Sequence, residues 1–177
     1  LMLFVFVIPV TLSNILGAKT TSRVNMTMTA LMLLSLVLFI VFAIRAVHGG
    51  VGLGNIFALE GIYNANTFTM SAVISGASIA VLSYLGFDAV TTMAEDSRVT
   101  GKMVGRGAVL ALLISSFFYI LQVYFATVAA PDFTSFQSQD TAFFEIAVAV
   151  GGNALATVCT LIIAVSGIAT ALAGQAS

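Results

Sequence analysis

The sequence predicts an all-α membrane protein built as a helix bundle, and three observations carry that prediction. Hydrophobic residues make up 60% of the 177-residue chain and charged residues only 7%, whereas a soluble domain needs about a quarter charged residues to coat its core. The mean hydropathy is +1.13. The long apolar stretches, such as Leu31-Met32-Leu33-Leu34-Ser35-Leu36-Val37-Leu38-Phe39, are apolar on every side and lack the alternation of a barrel strand.

A helix needs about 20 mostly apolar residues to cross the hydrocarbon, where an unpaired backbone group is too costly for irregular structure. Five such segments are expected, at about 1–16, 24–46, 69–93, 104–130 and 142–174, in a single transmembrane domain over 1–177. The first begins at Leu1 inside an apolar run, and the chain closes at Gln175-Ala176-Ser177 without a polar tail, so an excerpt of a longer product is expected. The second is rich in Leu and Phe and is expected to face lipid. The third carries Ala72, Gly76 and Ala80 at four-residue spacing, and the fifth carries Gly167 and Ala171. Small residues at that spacing admit a neighbouring backbone, which marks these two as interior helices. The fourth follows Lys102 and opens through Gly105-Arg106-Gly107.

Lys and Arg in short loops stay in the cytoplasm. Lys19 and Arg23 follow the first segment, and Arg98, Lys102 and Arg106 follow the third, which places both connections on the cytoplasmic side. The connection after the fourth holds only Asp132, Asp140 and Glu145 and is external. His48 lies beside Gly49 and Gly50 at a helix end, where a solvated or capping role is expected.

Composition also narrows function. A net charge of −1 with six Lys and Arg residues in all leaves no basic patch for nucleic acid. The lone Cys159 forms no intrachain disulfide and reads as a packed small residue. No zinc-ligand cluster, His and Cys pair or serine nucleophile motif is present, so neither catalysis nor a cofactor is expected.

The stretch that carries chemistry is Ser83-Tyr84-Leu85-Gly86-Phe87-Asp88. Asp88 precedes the Glu95-Asp96 pair by about two helical turns, which puts it roughly 10 Å inside the helix end. Burying a carboxylate there costs about 2.5–3.5 kcal/mol, so such groups face a cavity or partner and mark ion or substrate pathways. The competing reading is a carboxylate hydrogen-bonded structurally near the interface. Gly86 lowers helix propensity by about 1 kcal/mol, and with Ser83 and Asp88 nearby it makes local unwinding cheap. Broken spans aim free N–H and C=O groups at substrates and ions. Tyr84 and Phe87 offer aromatic faces to a cationic amine or a lid over a ligand, with ordinary packing as the alternative.

The run Tyr84-Leu85-Gly86-Phe87-Asp88, followed by Glu95-Asp96, Lys102 and Gly105-Arg106-Gly107, resembles the sixth-to-seventh helix region of the amino acid, polyamine and organocation permeases. Asn14-Ile15-Leu16-Gly17-Ala18-Lys19 with Arg23-Val24-Asn25 resembles their junction between the fourth and fifth helices. The stretch from Gly167 to Ser177 is similar to the eighth helix of putrescine-importer-like members.

The resemblance implies helices four to eight of a twelve-helix permease with the inverted-repeat, leucine-transporter-like fold. It places the fourth helix's end in the cytoplasm, as the Lys and Arg distribution does. By the resemblance, substrate binding or gating falls to Ser83, Tyr84, Leu85, Gly86 and Phe87. Leu82 stands where some members have an aromatic gate, so Tyr84 or Phe87 takes that part. Met32 stands where many members carry a lysine in place of a sodium ion. Coupling is then expected at Asp88, with Ser166 and Thr170 as an alternative ion site; those hydroxyls otherwise bond their own helix's carbonyls.

The expected function is a plasma-membrane importer of amino acids or polyamines that works by alternating access and is coupled to protons. The competing expectation is a noncatalytic membrane scaffold. In a Cys159→Ser background, single cysteines at Thr20 and Thr100 should react with an impermeant maleimide only from the cytoplasmic face, and one at Asp140 only from outside. The reverse labelling pattern would refute this topology.

Overall fold

The computed structural model describes residues 18–82, 84, 100–138 and 140–176, the side chains of 18–22 and 168–176 excepted. All regular structure among them is helical: α1 (Ala18–His48), a 3₁₀ turn (Leu59–Gly61), α2 (Met70–Leu82), α3 (Gly101–Ala129) and α4 (Ala142–Ala176). Three helices are long and apolar enough to cross a membrane, over Arg23–His48, Gly101–Ala129 and Ala142–Gly167. The expected span at about 1–16, and the part of the expected 69–93 span beyond Tyr84, lie outside the described residues. The described residues fall into two compact units, which part between Phe57 and Ala58 and between Tyr124 and Phe125.

In the first unit, three hydroxyls of α1 are satisfied within the helix, as hydrocarbon demands. Thr27 Oγ1 donates to Arg23 O and Thr29 Oγ1 to Asn25 O, both at 2.9 Å. Ser35 Oγ donates to Met32 O, also at 2.9 Å. The helix carries Arg45 and His48 in its last turn, where cations meet the negative end of the macrodipole. It ends in a Schellman motif: Gly50 N–H bonds Val47 O and Val51 N–H bonds Ala46 O, both at 3.0 Å, with Gly50 at φ 92°. That left-handed position suits glycine.

The core of this unit lies between α1 and α4. Phe39, Ala43 and Val47, spaced one turn apart, are fully buried, and Phe39 packs on Phe143 with ring centroids 5.2 Å apart. Ile146, Ala147, Val150, Leu155, Ala156 and Cys159 of α4 complete it. The α1 span, expected to be the more lipid-facing, has two faces: Met32, Leu34, Val37 and Val41 are exposed while the Phe39 stripe is buried. Composition averaged over the helix hid that narrow stripe.

The continuous fifth span expected from sequence is interrupted. Within α4, Gly152 has φ 71° and ψ −176°, outside helical geometry, so two helices meet there at a kink. A side chain at the neighbouring Gly151 would collide with Leu155. The start of α4 is fixed by Glu145, which accepts from Thr141 Oγ1 at 2.8 Å and from the Gln137 N–H at 3.4 Å. Its charge suits the positive end of the helix. In the preceding connection, Thr134 donates its N–H and its hydroxyl to Asp132 Oδ1 at 3.0 and 2.6 Å. Those bonds to the charged form hold the exposed Asp132 carboxyl below its ordinary range.

In the second unit, α2 starts at a Thr69 cap, whose Oγ1 accepts the Ala72 N–H at 3.2 Å. Its 13 residues reach about 20 Å, less than the hydrocarbon thickness. No residue of α2 is buried and nothing lies within 4 Å of a Cβ built on Gly76. The interior position expected for this helix is therefore not reached among the described residues, because no described backbone enters its small-residue groove.

Gly52 marks the closest approach of backbone in the first unit. Its φ is 67°, the neighbouring Leu53 N–H bonds Val128 O at 3.0 Å, and a Cβ on Gly52 would overlap Val128 O and lie 2.6 Å from Ala129 O. Gly52→Ala should lower stability by about 2 kcal/mol or more, from left-handed strain plus the clash. Gly50→Ala, whose Cβ meets nothing within 4 Å, should be milder. Thermal unfolding of the full-length protein in detergent checks this, and equal losses for the two variants would contradict the close approach.

Candidate substrate-binding site

The candidate site belongs to the second unit and forms where α2 stops. The helix closes at Leu82, and the Tyr84 N–H bonds Val81 O at 3.1 Å, a turn of three residues instead of four. Tyr84 reaches α3, where its hydroxyl lies 2.7 Å from Ser116 Oγ. Its ring meets Tyr119 edge to face, with centroids 5.9 Å apart and an interplanar angle of 76°, a favourable arrangement for aromatic quadrupoles. Ser116 Oγ also donates to Leu112 O one turn back, at 2.8 Å.

Beside this cluster lies an open cavity of about 620 Å³, within the range of small-molecule sites. Gly76, Ile79 and Ala80 form its α2 wall, and Ile120 and Val123 its α3 wall. The absence of a side chain at Gly76 and the small one at Ala80 leave the space open. Polar groups enter from Tyr84, Ser116, Tyr119 and Gln122, and among the described residues no charged side chain lines the cavity. Its edge is set by the segment around Gly61 and Ile62. Tyr124 of α3 ties that segment down by donating its hydroxyl to Ala58 O at 3.4 Å. Chemically, the arrangement accommodates an aliphatic chain and offers neutral hydrogen-bonding groups and aromatic faces to a polar end.

The family model described as "Amino acid permease" matches residues 1–177. The chain belongs to the amino acid permease family. This agrees with the resemblance found in the sequence and makes the chain part of an integral membrane permease. It is 22% identical over 163 residues to the low-affinity putrescine importer PlaP of Escherichia coli, covering 92% of the chain and 36% of that protein. It is 31% identical over 117 residues to the branched-chain amino acid permease BcaP of Bacillus subtilis, covering 66% of the chain and 23% of that protein. Against the chloroplastic cationic amino acid transporter 7 of Arabidopsis thaliana it is 30% identical over 130 residues, 72% of the chain and 22% of that protein. The chain thus spans about a third or less of the length of these relatives. No solved structure matches it.

Of the residues expected to serve the permease, Tyr84 stands at the described site. Ser83, Leu85, Gly86, Phe87 and Asp88 lie outside the described residues. Ser166 is buried in the first unit and donates to Ile163 O at 2.7 Å, the self-bonding arrangement weighed as the alternative to an ion site. Thr170 lies on α4, its side chain outside the described set. Leu82 and Met32 are exposed, on α2 and α1. Among the described residues no group of three or more His, Cys, Asp or Glu side chains is placed to hold a metal ion.

Sequence reasoning missed Ser116, Tyr119 and Gln122. The available signal was weak: Ser116 and Tyr119 lie three apart on one helical face, and Gln122 interrupts an otherwise apolar run. Nothing in the sequence said that this face meets Tyr84.

Proposed function

We propose that this chain is part of a secondary active transporter that imports amino acids or polyamines across the plasma membrane by alternating access. The match of the amino acid permease family model to residues 1–177 carries the reading. The relatives' names add to it, since they cover a diamine, branched-chain amino acids and cationic amino acids, all of which bear an ammonium group. In this reading Ser83, Tyr84, Leu85, Gly86 and Phe87 bind or gate the substrate. In this reading the low helix propensity of Gly86 serves to free backbone groups for the substrate.

Coupling is assigned to protons through Asp88. A carboxylate within an expected span marks an ion or substrate pathway, and in this reading Asp88 loads and releases a proton during the cycle. Ser166 and Thr170 form the alternative ion site in this reading. The cavity beside Tyr84 supports the substrate class: aliphatic walls suit a hydrocarbon chain, and aromatic faces suit an ammonium group.

The test uses the full-length protein that contains this chain, reconstituted in liposomes. Asp88→Asn should abolish proton-driven uptake of radiolabelled substrate while the amount of folded protein in the membrane stays unchanged. Unaltered uptake by this variant, with the same dependence on the imposed proton gradient, would remove Asp88 from the coupling mechanism.

A further inference from the structure

The hydrogen-bond inventory around Tyr84 fixes a direction that distances alone leave open. Ser116 has one hydroxyl proton, and it goes to Leu112 O at 2.8 Å, an oxygen that can only accept. The 2.7 Å contact between Tyr84 and Ser116 must therefore be made by the phenolic proton, donated to Ser116 Oγ. The result is a directed relay, Tyr84 O–H to Ser116 O–H to the Leu112 carbonyl. Once its proton is committed to α3, the phenol has only lone pairs left to offer, and donation along the chain makes that oxygen a stronger acceptor. Tyr119, packed edge to face on the Tyr84 ring, holds the ring's rotation.

We propose that Ser116 is a positioning residue that fixes Tyr84 with its proton directed into α3, so that the tyrosine presents the cavity with a hydrogen-bond acceptor for the ammonium group of the substrate. This rests on the reading of the Ser83 to Phe87 segment as a substrate-binding element. The chemistry of the walls agrees with it. No basic side chain lines the cavity among the described residues, so a carboxylate would meet no cationic partner there. Neutral oxygens and the tyrosine faces suit an alkylammonium.

The relay is asymmetric, and that makes the proposal testable. Removing the serine hydroxyl leaves the half-buried phenol without its acceptor, whereas removing the phenol leaves Ser116 still bonded to Leu112. Uptake kinetics and thermal unfolding are measured on the full-length protein for Tyr84→Phe, Ser116→Ala, Ser116→Thr and the Tyr84→Phe/Ser116→Ala double variant.

In transport, Tyr84→Phe and Ser116→Ala should each raise the half-saturating concentration of an amine substrate roughly fivefold, the worth of one hydrogen bond, with little change in maximal rate. Ser116→Thr, which keeps a hydroxyl, should restore it, and the double variant should match Tyr84→Phe. In unfolding, Ser116→Ala should lower the midpoint by a few degrees, and adding Tyr84→Phe should recover most of the loss. Additive effects in the double variant, a fall in maximal rate alone, or no rescue by threonine would overturn the proposal. If the unmodified protein takes up no amine, the transport reading and the ammonium assignment fall together. The unfolding cycle then still decides whether Ser116 positions Tyr84, and additivity there would refute that as well.

Discussion

The helical architecture of the described residues depends on one constraint, that a backbone polar group in hydrocarbon must find its partner within the protein. Helices meet it along their length, and the hydroxyls of α1 meet it by returning to carbonyls three or four residues back, as Thr27, Thr29 and Ser35 do. The interest then moves to the places where the helical pattern stops. Gly50 closes α1 by a capping motif that satisfies the last carbonyls, and Gly52 lets the following segment pair with the carbonyl of Val128. At Gly152 the helix breaks within its own run. The described part of α2 ends at Leu82, after 13 residues.

The end of α2 is where structure and proposed function meet. Beyond Leu82 the next described residue, Tyr84, locks onto Ser116 and Tyr119 of α3. The same lock leaves one side of the phenol facing the cavity formed by small residues of α2 and branched residues of α3. A single tyrosine thus both anchors the turn and contributes to the wall of a space suited to an aliphatic amine.

Much of this was legible in the sequence because it depends on composition and short-range pattern. The helical membrane class follows from apolar runs with no alternation, and the end of α1 from Gly49-Gly50 after His48. The family was visible in the run from Tyr84 to Asp88 and in Gly105-Arg106-Gly107. What stayed hidden depends on which faces meet. The buried Phe39, Ala43 and Val47 stripe looks no different in sequence from the exposed leucines beside it. Gly152 resembles Gly151 until its backbone angles are known. Ser116 sits in an apolar helix where a serine ordinarily bonds its own turn. It does so here as well, and its second role emerges only when Tyr84 is brought within 2.7 Å.

The most direct test of the account is substrate uptake into liposomes carrying the full-length protein, with putrescine, spermidine and the common amino acids screened with and without an imposed inward proton gradient. The account predicts saturable uptake of at least one ammonium-bearing class that rises with the gradient and collapses when it is dissipated. Folded protein that moves none of these compounds under either condition would contradict it.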